Sequence, residues 1–394
     1  MRFFWLSLVA IPVMATSYNV TELMNNALQN DAALKADRET IEQLFTQKEA
    51  TKLWENPELM FSYGRTKPDG IGAQNEYGVT LVQSIEKSAL KSAKQKILDA
   101  KILQTKALIV QKENELKGEV RQRAYLYTIA AQMSDKAEEA LALAKTFRQK
   151  GEKRFAQGAL SKADLLKLTV EEEKIAQEVQ SAQIKRDSAK YLLAISARLS
   201  SSADITPLKL PAPTAVDLPS EMDNLPMMAY YKNLNEEYRA QKEVAIESVI
   251  PGFKAGIGVA QLYDQHSLTA SLSMPIPIYH RNELHLKNAE SKISENALRE
   301  QSYRYETQQK RLRQQKMLSS LSNLIVSQEH IIDQASKMVS LSQRSYEEGY
   351  GTLLELIDAR RVLVAHQHEI LNNLEMYYDT LGEMQKTFPP TEEK

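Results

Sequence analysis

With 394 residues, 43% of them apolar, the chain can bury a large core, and 50 Lys and Arg against 51 Asp and Glu leave none of the basic footprint of a nucleic-acid binder. Gly and Pro supply only 13 residues each beside 26% charged residues, a balance that argues against an all-β chain and for long helices with solvated faces. Cys is absent, which excludes disulfides and an N-terminal lipid-bearing cysteine.

The N-terminus carries one cation, Arg2, then the apolar run Phe3 to Met14 and the sequence Val13-Met14-Ala15. The run is too short to cross a bilayer as a helix, and Val13 and Ala15 suit cleavage after Ala15. Residues 1–15 are therefore expected to be a cleaved secretory signal without lipidation; a short buried helix is the bland alternative.

A helix is expected from about Val20 to Trp54. Pro57 to Arg65 and Glu76 to Ser84 then alternate with period two: Leu59, Phe61 and Tyr63 oppose Glu58, Ser62 and Gly64, and Tyr77, Val79 and Leu81 oppose Glu76, Gly78 and Thr80. Each segment approaches the ~9 to 11 residues of a tilted membrane strand. From about Lys87 to Arg148 the spacing changes to threes and fours. Ala93, Ile97, Ala100, Leu103, Ala107 and Val110 predict a single apolar stripe along a rod on the order of 90 Å long. A turn at Gly158 and a helix from Ser161 to Leu199 follow.

Prolines 207, 211, 213, 219 and 226 mark residues 200–222 and their flank as an extended linker. Beyond it the plan recurs. A helix from Asp223 to Glu247 precedes two more alternating segments, Gly252 to Gln261 and Ser267 to Ile276, with Pro251 before them and Pro275 and Pro277 at their end. A second rod runs from about Leu284 to Arg344, with Leu321, Leu324, Gln328, Ile331, Ala335 and Met338 in register, and a helix from Thr352 to Lys386 precedes the tail 389–394. No later segment reaches the roughly 18 to 20 unbroken apolar residues of a membrane-spanning helix, so membrane insertion would fall to the strands.

The two halves share local sequence. Phe155-Ala156-Gln157-Gly158 aligns with Tyr346-Glu347-Glu348-Gly349, and the same offset pairs Asp164-Leu165-Leu166 with Glu355-Leu356-Ile357. Two structural repeats, 16–199 and 223–388, each helix, β-hairpin, long helix, turn and helix, are expected.

No Gly-rich phosphate loop, nucleophile elbow or zinc-protease helix occurs. The six His are scattered, and His366 and His368 would point about 200° apart on a helix. No catalytic residue, cofactor or metal site is assigned. The turns are more informative: Gly158 and Gly349 fit the left-handed residue after a helix, and Ser161 and Thr352 can cap the next one.

The signal, the repeated plan and both turn motifs resemble the TolC family of outer-membrane efflux proteins over essentially the whole mature chain. The resemblance implies a mainly α fold with a small membrane β-barrel, three chains giving a 12-stranded barrel on a coiled-coil α-helical tunnel. It implies an outer-membrane location with the helices in the periplasm, and a homotrimer that works with a periplasmic adaptor protein and an inner-membrane pump. Physics agrees in one respect: four strands from one chain would leave open edges in lipid, and only oligomerisation closes them.

By the same resemblance, the tips Gly158, Ala159, Leu160 and Ser161 and Gly349, Tyr350, Gly351 and Thr352 meet the adaptor, in addition to closing their helix hairpins. Glu355 and Asp358 match acids that ring the tunnel mouth as a gate; the plainer reading places them as acids favoured at a helix N-terminus. Asp164 and Tyr346 match positions that hold the closed tip. The position that is commonly Arg in that latch is Gly351 here, leaving Arg344 or Lys162 as substitutes. Trp54, Tyr77 and Tyr279 are expected at the membrane interfaces.

Val82-Gln83-Ser84-Ile85-Glu86 and Met274-Pro275-Ile276-Pro277-Ile278-Tyr279-His280-Arg281-Asn282 look like the CzcC-type heavy-metal branch of the family, the first departing after Glu86. That similarity implies metal cations as cargo of a resistance-nodulation-division pump. A multidrug or general type I export duct shares the fold, and a periplasmic coiled-coil adaptor would have no use for the strands.

Overall fold

The computed structural model describes residues 18–67, 69–70, 72–200, 203, 205–216, 222–262 and 265–390. The expected signal at 1–15 lies outside the described residues. The chain is mostly helical with one small antiparallel sheet: α1 (Val20–Asn30), α2 (Ala32–Ala50), β1 (Glu58–Thr66), β2 (Gln74–Glu86), α3 (Ser88–Ala156), α4 (Lys162–Ser196), α5 (Pro226–Glu247), β3 (Gly252–Leu262), β4 (Gln265–Ser273), α6 (Glu283–Glu347) and α7 (Leu353–Thr387). The long helices α3 and α6 hold 69 and 65 residues, and α3 runs on to Ala156 where the sequence suggested an end near Arg148. The fourth strand stops at Ser273, before the Met274-Pro275 step rather than at Ile276.

Two compact units divide the chain. One comprises residues 33–111 and 221–308, the other 1–32, 112–220 and 309–394. The first holds the sheet, in the order β1-β2-β3-β4. There α3 is bonded to α2 by Lys48–Asp99 at 2.5 Å and to α5 by Lys96–Glu243 at 2.6 Å and Gln104–Glu237 at 2.7 Å. Flanked on two sides, the helix buries Ala93, Ala100 and Ala107 on one face and Ile102 and Ile109 on the opposite one.

The second unit is helical. Leu23, Ala27, Val120, Ala124, Leu193, Ala194 and Ile205 form its core. The proline-rich segment 205–216 is held against the helices by side-chain hydroxyls: Tyr127 donates to the Ile205 carbonyl at 2.8 Å, Tyr377 to that of Thr214 at 2.8 Å and Ser322 to that of Pro213 at 2.9 Å. Backbone that pairs with no strand finds its partners in this way.

Two sequence expectations are corrected. The helix expected over 20–54 is broken at Asp31, whose backbone is extended (ψ 116°), because its buried carboxylate takes a 2.6 Å bond from Arg198. The single apolar stripe of each rod is in fact divided. Ala93, Ala100 and Ala107 are buried but Leu103 and Val110 are exposed, and Leu321, Gln328 and Ala335 are buried but Leu324, Ile331 and Met338 are exposed. Each exposed set recurs every seven residues, a seam left open in the single chain.

Candidate functional site

In the sheet, the register aligns the apolar residues of all four strands in rows across one face. Leu59, Leu81, Ile257 and Ala270 make one row and Phe61, Val79, Val259 and Leu268 the next, followed by the paired Tyr63 and Tyr77, whose rings are tilted with centres 5.4 Å apart. This face is bare: Phe61 is 76% exposed and Leu268 75%. The other face carries mostly small residues, Ser62, Gly78, Thr80, Gly256, Gly258, Ala260, Ser267, Thr269 and Ser271, together with Met60 and Val82. It is crowded, since a β-carbon on Gly258 would lie 2.4 Å from Thr80 Oγ1 and 2.9 Å from the Val79 carbonyl. Both outer strands, β1 and β4, have a free edge among the described residues. Trp54, Tyr77 and Tyr279 are all exposed, Tyr279 by 89%.

The junctions flanking the sheet are fastened by their own polar groups. Gln83 donates to the Glu55 carbonyl at 2.9 Å, Lys87 pairs with Glu247 at 2.5 Å, and Asn282, at φ 56°, donates to Ser248 Oγ at 2.8 Å. The residues that resemble the heavy-metal branch thus have local structural duties.

At the helical tips, Gly158 and Gly349 adopt φ of +73° and +86°, the region where a β-carbon is penalised, with open space around both. Ser161 caps α4 by accepting the Asp164 N–H at 3.1 Å, and its hydroxyl donates to Asp164 Oδ2 at 2.7 Å. These bonds, with Lys167 at 3.0 Å, hold the Asp164 carboxyl below its ordinary pKa. Leu160 is half-buried, Ala159 exposed, and Tyr350 is 87% exposed. Gly351 donates to the Ser345 carbonyl at 3.0 Å, and a β-carbon there would meet Ser345 Oγ at 2.7 Å. A side chain at this position would therefore require Ser345 to shift.

The four expected gate residues are not joined to one another. Glu355 is turned back in a capping box, its carboxylate accepting the Thr352 N–H at 3.1 Å while Thr352 Oγ1 accepts the Glu355 N–H at 3.2 Å. Asp358 lies 3.9 Å from Arg361, which reaches across to Glu171 on α4 at 2.7 Å. That bond draws the Glu171 pKa down. Tyr346 is buried and carries the Arg154 guanidinium over its ring at 4.2 Å. Among the described residues no cluster of His, Asp and Glu suits a metal ion.

No family model and no curated protein sequence matches the chain. Solved structures do. The chain is similar to the channel CusC (TM-score 0.76, 16% identity, 97% of each chain covered) and to the outer membrane protein VceC of Vibrio cholerae (0.73, 15%, 94% and 96%). It is also similar to the Campylobacter jejuni CmeC outer membrane channel (0.73, 13%, 97% of this chain and 90% of that one). The chain has the fold of these TolC-type channels. At such identities the likeness concerns the fold.

Within that TolC-type fold, Arg154, Glu171 and Arg361 are the tip residues that sequence reasoning missed. Arg154 carried a faint signal, a cation in the last turn of a long helix. The Glu171–Arg361 pair carried none, because it joins residues on different helices.

Proposed function

We propose that the chain is the outer-membrane exit duct of a tripartite efflux pump, a passive channel and not an enzyme. The observation that carries this reading is the sheet: four strands with one bare apolar face, a tight face of mostly small residues and, among the described residues, two free edges. In lipid every backbone group needs an internal partner, so four open-edged strands require closure with further copies. Three chains give a 12-stranded barrel, the apolar rows facing lipid and the small residues facing the lumen. The exposed seven-residue seams on α3 and α6 support the same assembly, since they offer coiled-coil surfaces to neighbouring helices.

The duct is exported by a cleaved signal without lipidation, and its two halves are structural repeats. The tips from Gly158 to Ser161 and from Gly349 to Thr352 dock a periplasmic adaptor protein, which links the duct to the inner-membrane pump. Trp54, Tyr77 and Tyr279 lie at the membrane interfaces. Heavy-metal cations are the proposed cargo, with a resistance-nodulation-division pump, on the similarity of the two junction segments; a multidrug duct is the second reading, because those segments are fastened structurally.

The assembly is tested by outer-membrane fractionation and by migration of the unheated protein, with a trimer in the outer-membrane fraction expected and a soluble periplasmic monomer overturning it. Resistance profiling of a deletion strain separates the cargoes. Sensitivity to metals alone supports the first reading, and sensitivity to drugs alone replaces it with the second.

A further inference from the structure

The helical unit contains a cavity of about 480 Å³ between α3, α4 and α7, within the ~300 to 1,000 Å³ range of small-molecule pockets. Leu143, Phe147, Leu168, Ile175, Leu356 and Val364 give it an apolar lining. Leu168 and Leu356 are buried there, so the lining belongs to the packed interior as well as to the surface.

The charges on the lining do not balance. Lys136, Lys174, Arg360 and Arg361 face Glu139, Glu171 and Glu178. Each carboxylate has a partner: Glu139 pairs with Lys136 at 2.7 Å, Glu171 with Arg361 at 2.7 Å and Glu178 with Lys174 at 3.7 Å. Arg360 is the cation left over. It is half-buried, its guanidinium lies 3.9 Å from the centre of the Phe147 ring, and its only hydrogen bond among the described residues is a long one, 3.4 Å from Nη2 to Gln343. Its Nε is buried without an acceptor, and among the described residues no carboxylate lies within 4 Å of it. Burial alone, opposed by no anion, draws its pKa down.

A half-buried guanidinium whose Nε has no acceptor is costly, and the group that fits it best is a planar oxyanion able to take two parallel N–H bonds. The apolar lining beside it accepts a hydrocarbon body. We propose that this cavity binds an amphipathic carboxylate, of medium-chain fatty-acid type, with its head on Arg360 and its tail along Leu143, Ile175 and Val364. The site adjoins the tips, since Glu171, Arg361 and Leu356 line it, but Glu355 is not part of the lining, and the proposal does not depend on the export reading.

The test uses the purified full chain in amphipol, titrated calorimetrically with dodecanoate and, as the charge control, with dodecyltrimethylammonium. Saturable dodecanoate binding, one molecule per chain, is expected. Arg360→Met should weaken it about ten- to a hundredfold, the scale of a charged hydrogen bond, and Ala140→Leu, which narrows the cavity and keeps Arg360, should weaken it as well. The quaternary ammonium should not compete. Equal affinity in wild type and Arg360→Met, or equal competition by the cation, would overturn the proposal. So would binding to the dissociated chain that disappears in the oligomer, since a second copy would then fill the cavity. If Arg360→Met fails to fold, Ala140→Leu decides: unaltered affinity there also overturns the site.

Discussion

Glu355 and Thr352 bond each other reciprocally at the start of α7, the carboxylate accepting one backbone N–H and the hydroxyl the other. A proposed gate residue is therefore also a structural cap, and the two roles have to be separated by chemistry. Gln can replace Glu in a capping box. Glu355→Gln with Asp358→Asn should lower cation selectivity in a planar bilayer while leaving the melting temperature unchanged. Thr352→Ala should do the reverse, costing about 1 kcal/mol of stability with selectivity intact. If the charge-neutral pair leaves selectivity and multivalent-cation block as they were, the acids cap a helix and do not gate.

The two faces of the sheet should respond differently to charge. Arg at Ile257, in the bare apolar rows, should impair assembly by about 2 to 4 kcal/mol near the bilayer midplane, whereas Arg at Leu272, beside the strand end at Ser273, should cost less and Arg at Ser273 or Thr269, on the opposite face, should be milder. Gly258 is not a mild position, although the strand pattern places it on the wet face. Its missing β-carbon leaves the room that Thr80 and the Val79 carbonyl occupy. Equal oligomer yields for the mid-strand Ile257 and Thr269 variants would reject the face assignment.

At the tips, Gly158→Val and Gly349→Val should cost roughly 1 to 2 kcal/mol each through backbone conformation alone, because nothing crowds the added carbon. Export should fall while the assembled protein persists in the membrane, as scored by substrate accumulation and by unheated gel migration. Normal export would remove both the docking assignment and the need for a tight turn. Gly351→Arg, which would place the latch cation of the resembled family, should distort the turn against Ser345 and not strengthen it.

Acid should loosen the link between α4 and α7. Arg361 holds the Glu171 pKa below its ordinary value, so the pair stabilises the fold above the unfolded pKa of about 4.3, and that contribution is lost as pH falls through the lower folded value. Melting temperatures measured down that window should drop more for wild type than for Glu171→Gln. Parallel curves would show that the bridge contributes nothing measurable.

The strands, the long helices and the turn glycines were legible in the sequence because each is written in local periodicity or in a single backbone requirement. Leu59, Phe61 and Tyr63 alternate whatever they pack against, and Gly158 needs its left-handed φ wherever the hairpin lies. Side-chain partnerships were not legible. The break at Asp31 depends on Arg198, the ring of Tyr346 is covered by Arg154, and the Glu171 carboxylate is claimed by Arg361, each partner brought from another helix or from beyond the end of one. Tertiary structure also decided which residues of each apolar stripe are buried. A 3.6-residue period shows that Ala100 and Leu103 lie on neighbouring parts of a helix surface, but it does not show that Ala100 is covered and Leu103 left open. Sequence spacing determines which side chains share a face; only the packing of distant segments determines what that face meets.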